Sequence, residues 1–246
     1  MIQRHSPDSA IACQSKKKLF TVDCENCSLR SNMLFANLET EGFGQRTEFI
    51  KHSLSSPKET IYHQGHAPDN IFSLRYGFVK LIQLNEGGEQ RIIRILGPGD
   101  SIGLEALQGQ NYRQTAEAIT AVDYCTIPTD IIFQIAQEQP SLHIALEAQL
   151  QKQLEETEYW LNLLVVGQVK QRLCRFLLLQ HRIEKSKNNN ITLISNQDIA
   201  SILATSEETV SRCLSELRKH KDIEKIDKRI YHLNLEAVSL MADIHR

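Results

Sequence analysis

At Pro128 the hydrophobic rhythm of this 246-residue chain changes. Upstream, from about Thr47, short apolar runs recur (IYHQG, IFSLRYGFVKLIQL, RIIRIL, AVDYCTIP). They are separated by the turn-forming clusters His66-Ala67-Pro68-Asp69-Asn70, Asn85-Glu86-Gly87-Gly88 and Gly97-Pro98-Gly99-Asp100. Runs of this length and spacing fold as antiparallel strands, and a Gly-rich break between two of them is a hairpin signal. Downstream the period is helical. Asp130–Glu138 reads as a short helix stopped by Pro140, and Ser141–Leu164 runs on without Gly or Pro. The chain is therefore expected to be α+β, with an antiparallel β-roll or sandwich first and helices after it.

In the long helix, Leu150, Leu154, Thr157, Leu161 and Leu164 are spaced four, three, four and three apart. That is the seam of a helix packing along another helix. Such a helix following a β domain has its own copy to pack on, so a homodimer is expected; the alternative is a helix lying across its own β domain.

Gly167 marks a break, and Gln168–Glu184 reads as the next helix. KSKNNN (185–190) is a polar loop and Ile191–Ile194 a short strand. Ser195 followed by Asp198 resembles a capping box opening a helix with an Ile199, Ile202 and Leu203 face. Ala204-Thr205-Ser206 connects to a second helix, with Ser206 as N-cap and Glu207 and Glu208 at its positive end. Val210, Leu214 and Leu217 point inward; Glu208, Ser211, Arg212 and Ser215 point outward. Two helices joined by about three residues form a helix-turn-helix. Arginine forks onto guanine and glutamate accepts from cytosine N4. Glu208 and Arg212 four residues apart also suit an ordinary surface ion pair. Ile223–Ile226 and Ile230–Leu233, flanking Asp227-Lys228-Arg229, read as a hairpin wing with a basic tip, and Glu236–His245 as a terminal helix.

Charge supports this division. From Val169 to Arg246 there are 14 Lys and Arg against 10 Asp and Glu, a net of +4, leaving −6 on the remainder. A basic C-terminal part suits a polyanionic partner. The longest apolar stretch, Trp160–Val166, falls far short of the roughly 18 residues of a membrane span. The opening MIQRHSPDSA lacks the apolar core of a secretion signal. A cytoplasmic protein without a membrane is expected. No phosphate-binding glycine loop, nucleophile elbow or zinc-protease string is present, so no enzyme is expected. His63 and His66 sit at a strand–turn boundary, where solvated histidines are common. Of six cysteines, Cys174 and Cys213 fall beside apolar helix residues and read as buried small hydrophobes.

A β-roll, a long dimer helix and a winged helix-turn-helix, in that order, resemble the CRP/FNR family of bacterial transcription regulators over residues 20–246. The residues that carry the resemblance are Gly97-Pro98-Gly99-Asp100, Gly103, the heptad helix and Glu208-Thr209-Val210-Ser211-Arg212, which matches the FNR-type E-x-x-S-R recognition helix. The resemblance implies four parts: a Cys-containing segment (1–45), a cyclic-nucleotide-binding-like, cupin-like β-roll sensor (46–135), a dimerisation helix (136–167) and a winged helix-turn-helix (168–246). It implies that Glu208, Ser211 and Arg212, with Ser206, Thr209, Lys228 and Arg229 around them, contact double-stranded DNA at TTGAT-like half-sites of an inverted repeat. It also implies an activator that engages RNA polymerase. The helix-turn-helix usually has a glycine in its turn, where Ala204-Thr205 stands here.

Relatives that bind cyclic nucleotide carry a Gly-Glu pair and, downstream, Arg-Ser or Arg-Thr; here the positions read Gly103-Leu104-Glu105 and Arg113-Gln114, which argues against that ligand. FNR-type oxygen sensors hold a [4Fe-4S] cluster on an N-terminal C-x2-C-x5-C string and one distant cysteine. Cys24 and Cys27 match the first pair and Cys125 the distant one, while Met33 stands at the third N-terminal position. The resemblance therefore implies a cluster on Cys24, Cys27 and Cys125, with Cys13 or Asp23 as the fourth ligand. Glu155, Glu156 and Glu158 crowd the dimer helix, and the family pattern implies that cluster loss in oxygen releases the dimer. The alternative is the same fold without a cluster, with another effector (cyclic nucleotide, haem or NO) or none.

Overall fold

The structure, a computed structural model, describes residues 20–21, 48–184 and 188–243. The change of period at Pro128 is a change of architecture: strand β9 (Val122–Pro128) runs straight into helix α1 (Thr129–Glu138). β9 is the central strand of a five-stranded antiparallel sheet. On one side of it lie β2 (Lys51–Ser55) and then β1 (Phe20–Thr21); on the other lie β4 (Asn70–Tyr76) and then β7 (Ser101–Ile102). A second sheet of four strands has the order β3 (Thr60–Tyr62), β8 (Thr115–Ala118), β5 (Val79–Leu84), β6 (Gln90–Leu96). The two sheets close over Ile71, Leu74, Val79, Leu96 and Ala116, all fully or almost fully buried. The expected β-roll is thus present.

The turn signals act where the sequence placed them. Asn85–Glu89 joins β5 to β6, with the Asn85 side chain accepting from the Glu89 amide. In the Gly97–Asp100 turn the Asp100 carboxylate accepts from the Gly97 amide at 2.9 Å. Gly103 has φ +76°, and a Cβ there would lie 2.9 Å from the Tyr112 ring, so both conformation and space require glycine.

After α1 comes α2 (Ser141–Leu164), then α3 (Val169–Glu184) beyond Gly167, whose φ is +99°. The C-terminal part follows as β10 (Asn190–Thr192), α4 (Asn196–Ile202), α5 (Glu207–Lys219), β11 (Ile223–Lys225), β12 (Ile230–Leu233) and α6 (Leu235–Met241). β10, expected as a short strand over Ile191–Ile194, pairs with β12 and makes the wing a three-stranded sheet. Leu173, Phe176 and Leu177 of α3 pack with Ile199, Val210, Leu214 and Leu217. That cluster does not stop at the C-terminal part: Ile92 and Ile95 of β6 and Trp160 and Leu164 of α2 belong to it. Among the described residues no helix is long and apolar enough to cross a membrane.

Candidate DNA interface and a cavity in the roll

Helix α4 starts at Ser195, whose Oγ accepts from the Asp198 amide at 3.1 Å and donates to the Asp198 carboxylate at 2.7 Å. Helix α5 starts at Ser206, whose Oγ accepts from the Thr209 amide at 3.2 Å. The three-residue connector holds without glycine because Ala204 adopts φ +47° and the Thr205 amide donates to the Ala200 carbonyl. Val210, Leu214 and Leu217 are buried against α3 and α4, which turns Glu208, Ser211, Arg212 and Ser215 to solvent. Among the described residues no ion pair joins Glu208 to Arg212, so both head groups are presented outward. The Ser215 hydroxyl is used within the helix, donating to the Ser211 carbonyl and accepting from Arg218. In the wing, Lys228 and Arg229 are exposed at the tip of the β11–β12 hairpin, where the Asp227 carboxylate accepts from the Lys228 amide. A helix N-terminus, a forked cation, a carboxylate and a basic hairpin tip on one small domain are the donors and acceptors that base edges and phosphates require.

Helix α2 divides its side chains between two tasks. Leu150, Leu154 and Leu161 are 52, 55 and 60% exposed, an apolar row left open among the described residues. Leu164, expected in the same row, is buried instead in the cluster beneath the C-terminal part. Thr157 returns its hydroxyl to the Gln153 carbonyl at 2.7 Å. Of the three glutamates expected to crowd the seam, Glu156 turns toward its own sheet and accepts from Arg94 of β6 at 2.9 Å. Like-charge crowding is therefore smaller than the sequence suggests.

Between the roll and α2 lies a cavity of about 610 Å³. Leu81, Ile92, Arg94 and Leu96 line it from the sheet, Leu150 and Trp160 from α2, and Ile202 from α4. Tyr62 lines it and stacks on Tyr112 at 4.1 Å, and burial holds the Tyr62 hydroxyl well above its ordinary pKa. At the rim the Glu105 carboxylate accepts from the Arg113 amide at 2.9 Å, and the Arg113 guanidinium donates to Gln110 at 2.7 Å.

Cys125 sits on β9, buried, with His52 opposite on β2 and Ser73 opposite on β4. Cys13, Cys24, Cys27, Asp23 and Met33 lie outside the described residues. Among the described residues no group of three or more His, Cys, Asp or Glu side chains is arranged to hold a metal ion. Cys174 and Cys213 are buried as expected; burial pushes the Cys174 thiol up to about 12. His63 and His66 are exposed at their turn.

Comparison with known proteins decides the family. Residues 55–139 match the model of the cyclic nucleotide-binding domain, and residues 171–239 that of the Crp-like helix-turn-helix domain. The transcriptional regulator LdrP of Thermus thermophilus is 31% identical over 185 residues, covering 74% of this chain and 91% of LdrP. A solved CRP-family transcriptional regulator, also from Thermus thermophilus, matches with TM-score 0.67 at 30% identity, over 77% of this chain and 95% of the other. The chain belongs to the CRP/FNR family of transcription regulators. The transcriptional activator protein Anr of Pseudomonas protegens is 24% identical over 216 residues, 86% of this chain and 88% of Anr.

As a CRP/FNR regulator the chain carries a DNA-binding helix-turn-helix and is not an enzyme. The CRP/FNR fold also shows what reading the sequence missed. Lys80, Arg94 and Arg172 join the sheet of the β-roll, α2 and the helix-turn-helix. Their partners lie up to 118 positions away. The one local signal was Arg94, set between Ile92-Ile93 and Ile95-Leu96, where a cation flanked by core residues needs a counter-charge.

Proposed function

We propose that this protein is a homodimeric regulator that reads an inverted repeat of TTGAT-like half-sites with Glu208, Ser211 and Arg212 and responds to oxygen or redox state. The observation that carries the DNA reading is the capped α5 helix, with its inward face packed and those three side chains left open. Ser206 and Thr209 at its N-terminus and Lys228 and Arg229 on the wing supply phosphate contacts. Pairing is supported by the exposed Leu150, Leu154 and Leu161 row on α2, which a second copy would cover. Two reading helices related by a two-fold axis suit half-sites about one helical turn apart. RNA polymerase is the partner that a regulator acting as an activator in the cytoplasm engages.

For sensing, a [4Fe-4S] cluster fits the donor chemistry of Cys24, Cys27 and Cys125, with Cys13 or Asp23 as fourth ligand. Chain reach supports it. β1 pairs with β2 and β2 with β9, so Thr21 stands opposite Lys51 and Lys51 opposite Thr126. Strands about 4.8 Å apart put Thr21 roughly 10 Å from Thr126. Three further residues, each spanning up to about 3.3 Å, bring Cys24 within reach of Cys125. When bound, the group supplies an oxygen-labile centre. The anaerobic regulatory protein of Haemophilus influenzae is 23% identical over 207 residues, which agrees with this reading. The test is iron and acid-labile sulfide in protein purified without air, wild type against Cys13→Ala, with DNA fragments selected from a random pool. Protein free of iron and sulfide overturns the cluster; a pool without an inverted repeat overturns the dimeric reading.

One observation favours a second reading. The 610 Å³ cavity, lined by Leu81, Ile92 and Leu96 together with Arg91 and Arg94 on the sheet side and by α2 and Ile202 opposite, has the size of a small-molecule site. A regulator of this fold that binds such an effector and no cluster is the alternative that iron-free protein would support.

A further inference from the structure

The DNA-reading helix carries the bases' partners, but where it points depends on α4, and α4 is attached to the sensor domain by a set of polar contacts. Asp198, Ser201 and Ile202 lie at positions one helical turn apart, hence on one side of α4. All three meet the β-roll or its cavity. The Asp198 carboxylate accepts from the Lys80 ammonium of β5 at 2.8 Å. The Ser201 hydroxyl accepts from the Ile92 amide of β6 at 3.2 Å. Ile202 lines the cavity together with residues of α2.

The sheet explains why these contacts form. β6 is the outer strand of the four-stranded sheet, so its outward amides have no strand to pair with, and Ser201 satisfies one of them. Lys80 faces Glu117 across the β5–β8 ladder, their charged atoms 2.9 Å apart, and its side chain is only 12% exposed. Burial pulls the Lys80 pKa down, but the hydrogen bonds to Asp198 and Glu117 and their charges outweigh it and the net direction is up. The ammonium is thus shared between a carboxylate of the sensor and one of the helix-turn-helix. Without it, two partly buried carboxylates confront each other across the domain boundary. At the other end of α4, Arg172 of α3 donates to the Leu203 carbonyl at 2.7 Å and to the Leu164 carbonyl at the end of α2 at 3.5 Å.

We propose that Lys80 is a positioning residue for DNA reading: by holding Asp198 it fixes α4, and with it the packed α5, against the sensor sheet, so that two α5 helices of a dimer stand at a defined separation. The contact leaves Glu208, Ser211 and Arg212 exposed, so it holds the reading surface in place without covering it. This inference rests on the dimeric reading proposed above.

The experiment compares wild type, Lys80→Gln, Lys80→Arg, Asp198→Lys and the exchange Lys80→Glu with Asp198→Lys, all in the full chain. The DNA probes are an inverted repeat selected by the wild type, the same repeat with one base pair inserted between half-sites, and a single half-site. Lys80→Gln is expected to lose about tenfold in affinity for the intact repeat. It should keep single half-site affinity within about twofold and lose the wild type's penalty for the inserted base pair. Lys80→Arg and the double exchange should restore the spacing preference. In the absence of DNA, hydrogen exchange of the Ile92 amide should quicken in Lys80→Gln. An unchanged Ile92 exchange rate, an unchanged spacing preference, or tighter binding to the intact repeat overturns the proposal. A wild type that does not prefer the repeat over one half-site sinks the dimeric reading instead, and Ile92 exchange still tests the contact.

Discussion

Arg94 Nη2 lies 2.9 Å from Glu156 Oε2, which ties strand β6 to the middle of α2 and turns the Glu156 carboxylate toward its own sheet. Among the described residues Arg94 is the one buried charged residue. Deleting the carboxylate leaves a desolvated guanidinium with less compensation, a loss of roughly 1–3 kcal/mol. Glu156→Ala is therefore expected to lower the urea midpoint, while the exposed Glu155→Ala and Glu158→Ala stay within about 0.5 kcal/mol of wild type. Equal effects for the three would show that Arg94 does not depend on Glu156.

Ala204 holds the turn of the helix-turn-helix at φ +47°, a conformation that disfavours a Cβ by about 1–2 kcal/mol. Glycine relieves that strain but adds freedom to the unfolded chain, so Ala204→Gly should stabilise by about 0.5–1 kcal/mol. Thermal unfolding of the two proteins at one concentration measures it; a lower midpoint for the glycine variant would show that the alanine is not strained.

Local signals were legible in the sequence because their causes are local. The hairpin at Asn85–Gly88, the caps Ser195 and Ser206, and the inward positions Val210, Leu214 and Leu217 each follow from residues within one turn. What the sequence did not disclose depends on residues far apart meeting in space. Leu164 keeps the heptad spacing of Leu161, yet the arrival of α3 and α4 buries it. Glu156 is no different in sequence from Glu155 until β6 brings Arg94 to it. The Lys80–Asp198 contact spans 118 positions and has no local signature. Three of the candidate cysteines, Cys13, Cys24 and Cys27, lie outside the described residues.

If Arg212 reads a base edge, Arg212→Ala should lose about 1–3 kcal/mol at one base pair per half-site and relax preference there. Lys228→Ala should weaken all sequences alike and flatten the dependence of affinity on salt. Binding titrations on single-base variants at two salt concentrations separate the effects. An unchanged base preference for Arg212→Ala would remove it from the reading role.

The Cys174 thiol, raised to about 12 by burial, remains neutral in the folded chain when an unfolded cysteine, with its ordinary value of 9.0, has begun to ionise. The sign follows: this contribution to stability is intact below about pH 9 and is lost as pH rises toward 12. The wild type should lose more of its midpoint than Cys174→Ala between pH 8.5 and pH 10.5 (about two units spanning the unfolded value). Rapid reaction of Cys174 with a thiol reagent in the native state at pH 8 would contradict its burial.

Leu154 tests the pairing of α2 without disturbing the cavity, because it is 55% exposed and is absent from the cavity wall that Leu150 and Leu161 share. Leu154→Glu places a carboxylate on the row that a second copy would cover and faces it with its own image across the two-fold axis. The expected result is a halved mass by light scattering at micromolar concentration, with the fold intact by circular dichroism. Affinity for the inverted repeat should fall by about a hundredfold, since the second half-site contact is no longer intramolecular, and affinity for one half-site should be kept. Leu164→Ala should do the reverse: truncating a leucine buried beneath the C-terminal part costs about 2–5 kcal/mol of folding stability and leaves the mass of the surviving folded protein unchanged. Leu154→Glu protein that keeps the wild-type mass would mean that the exposed leucine row is not where the copies meet.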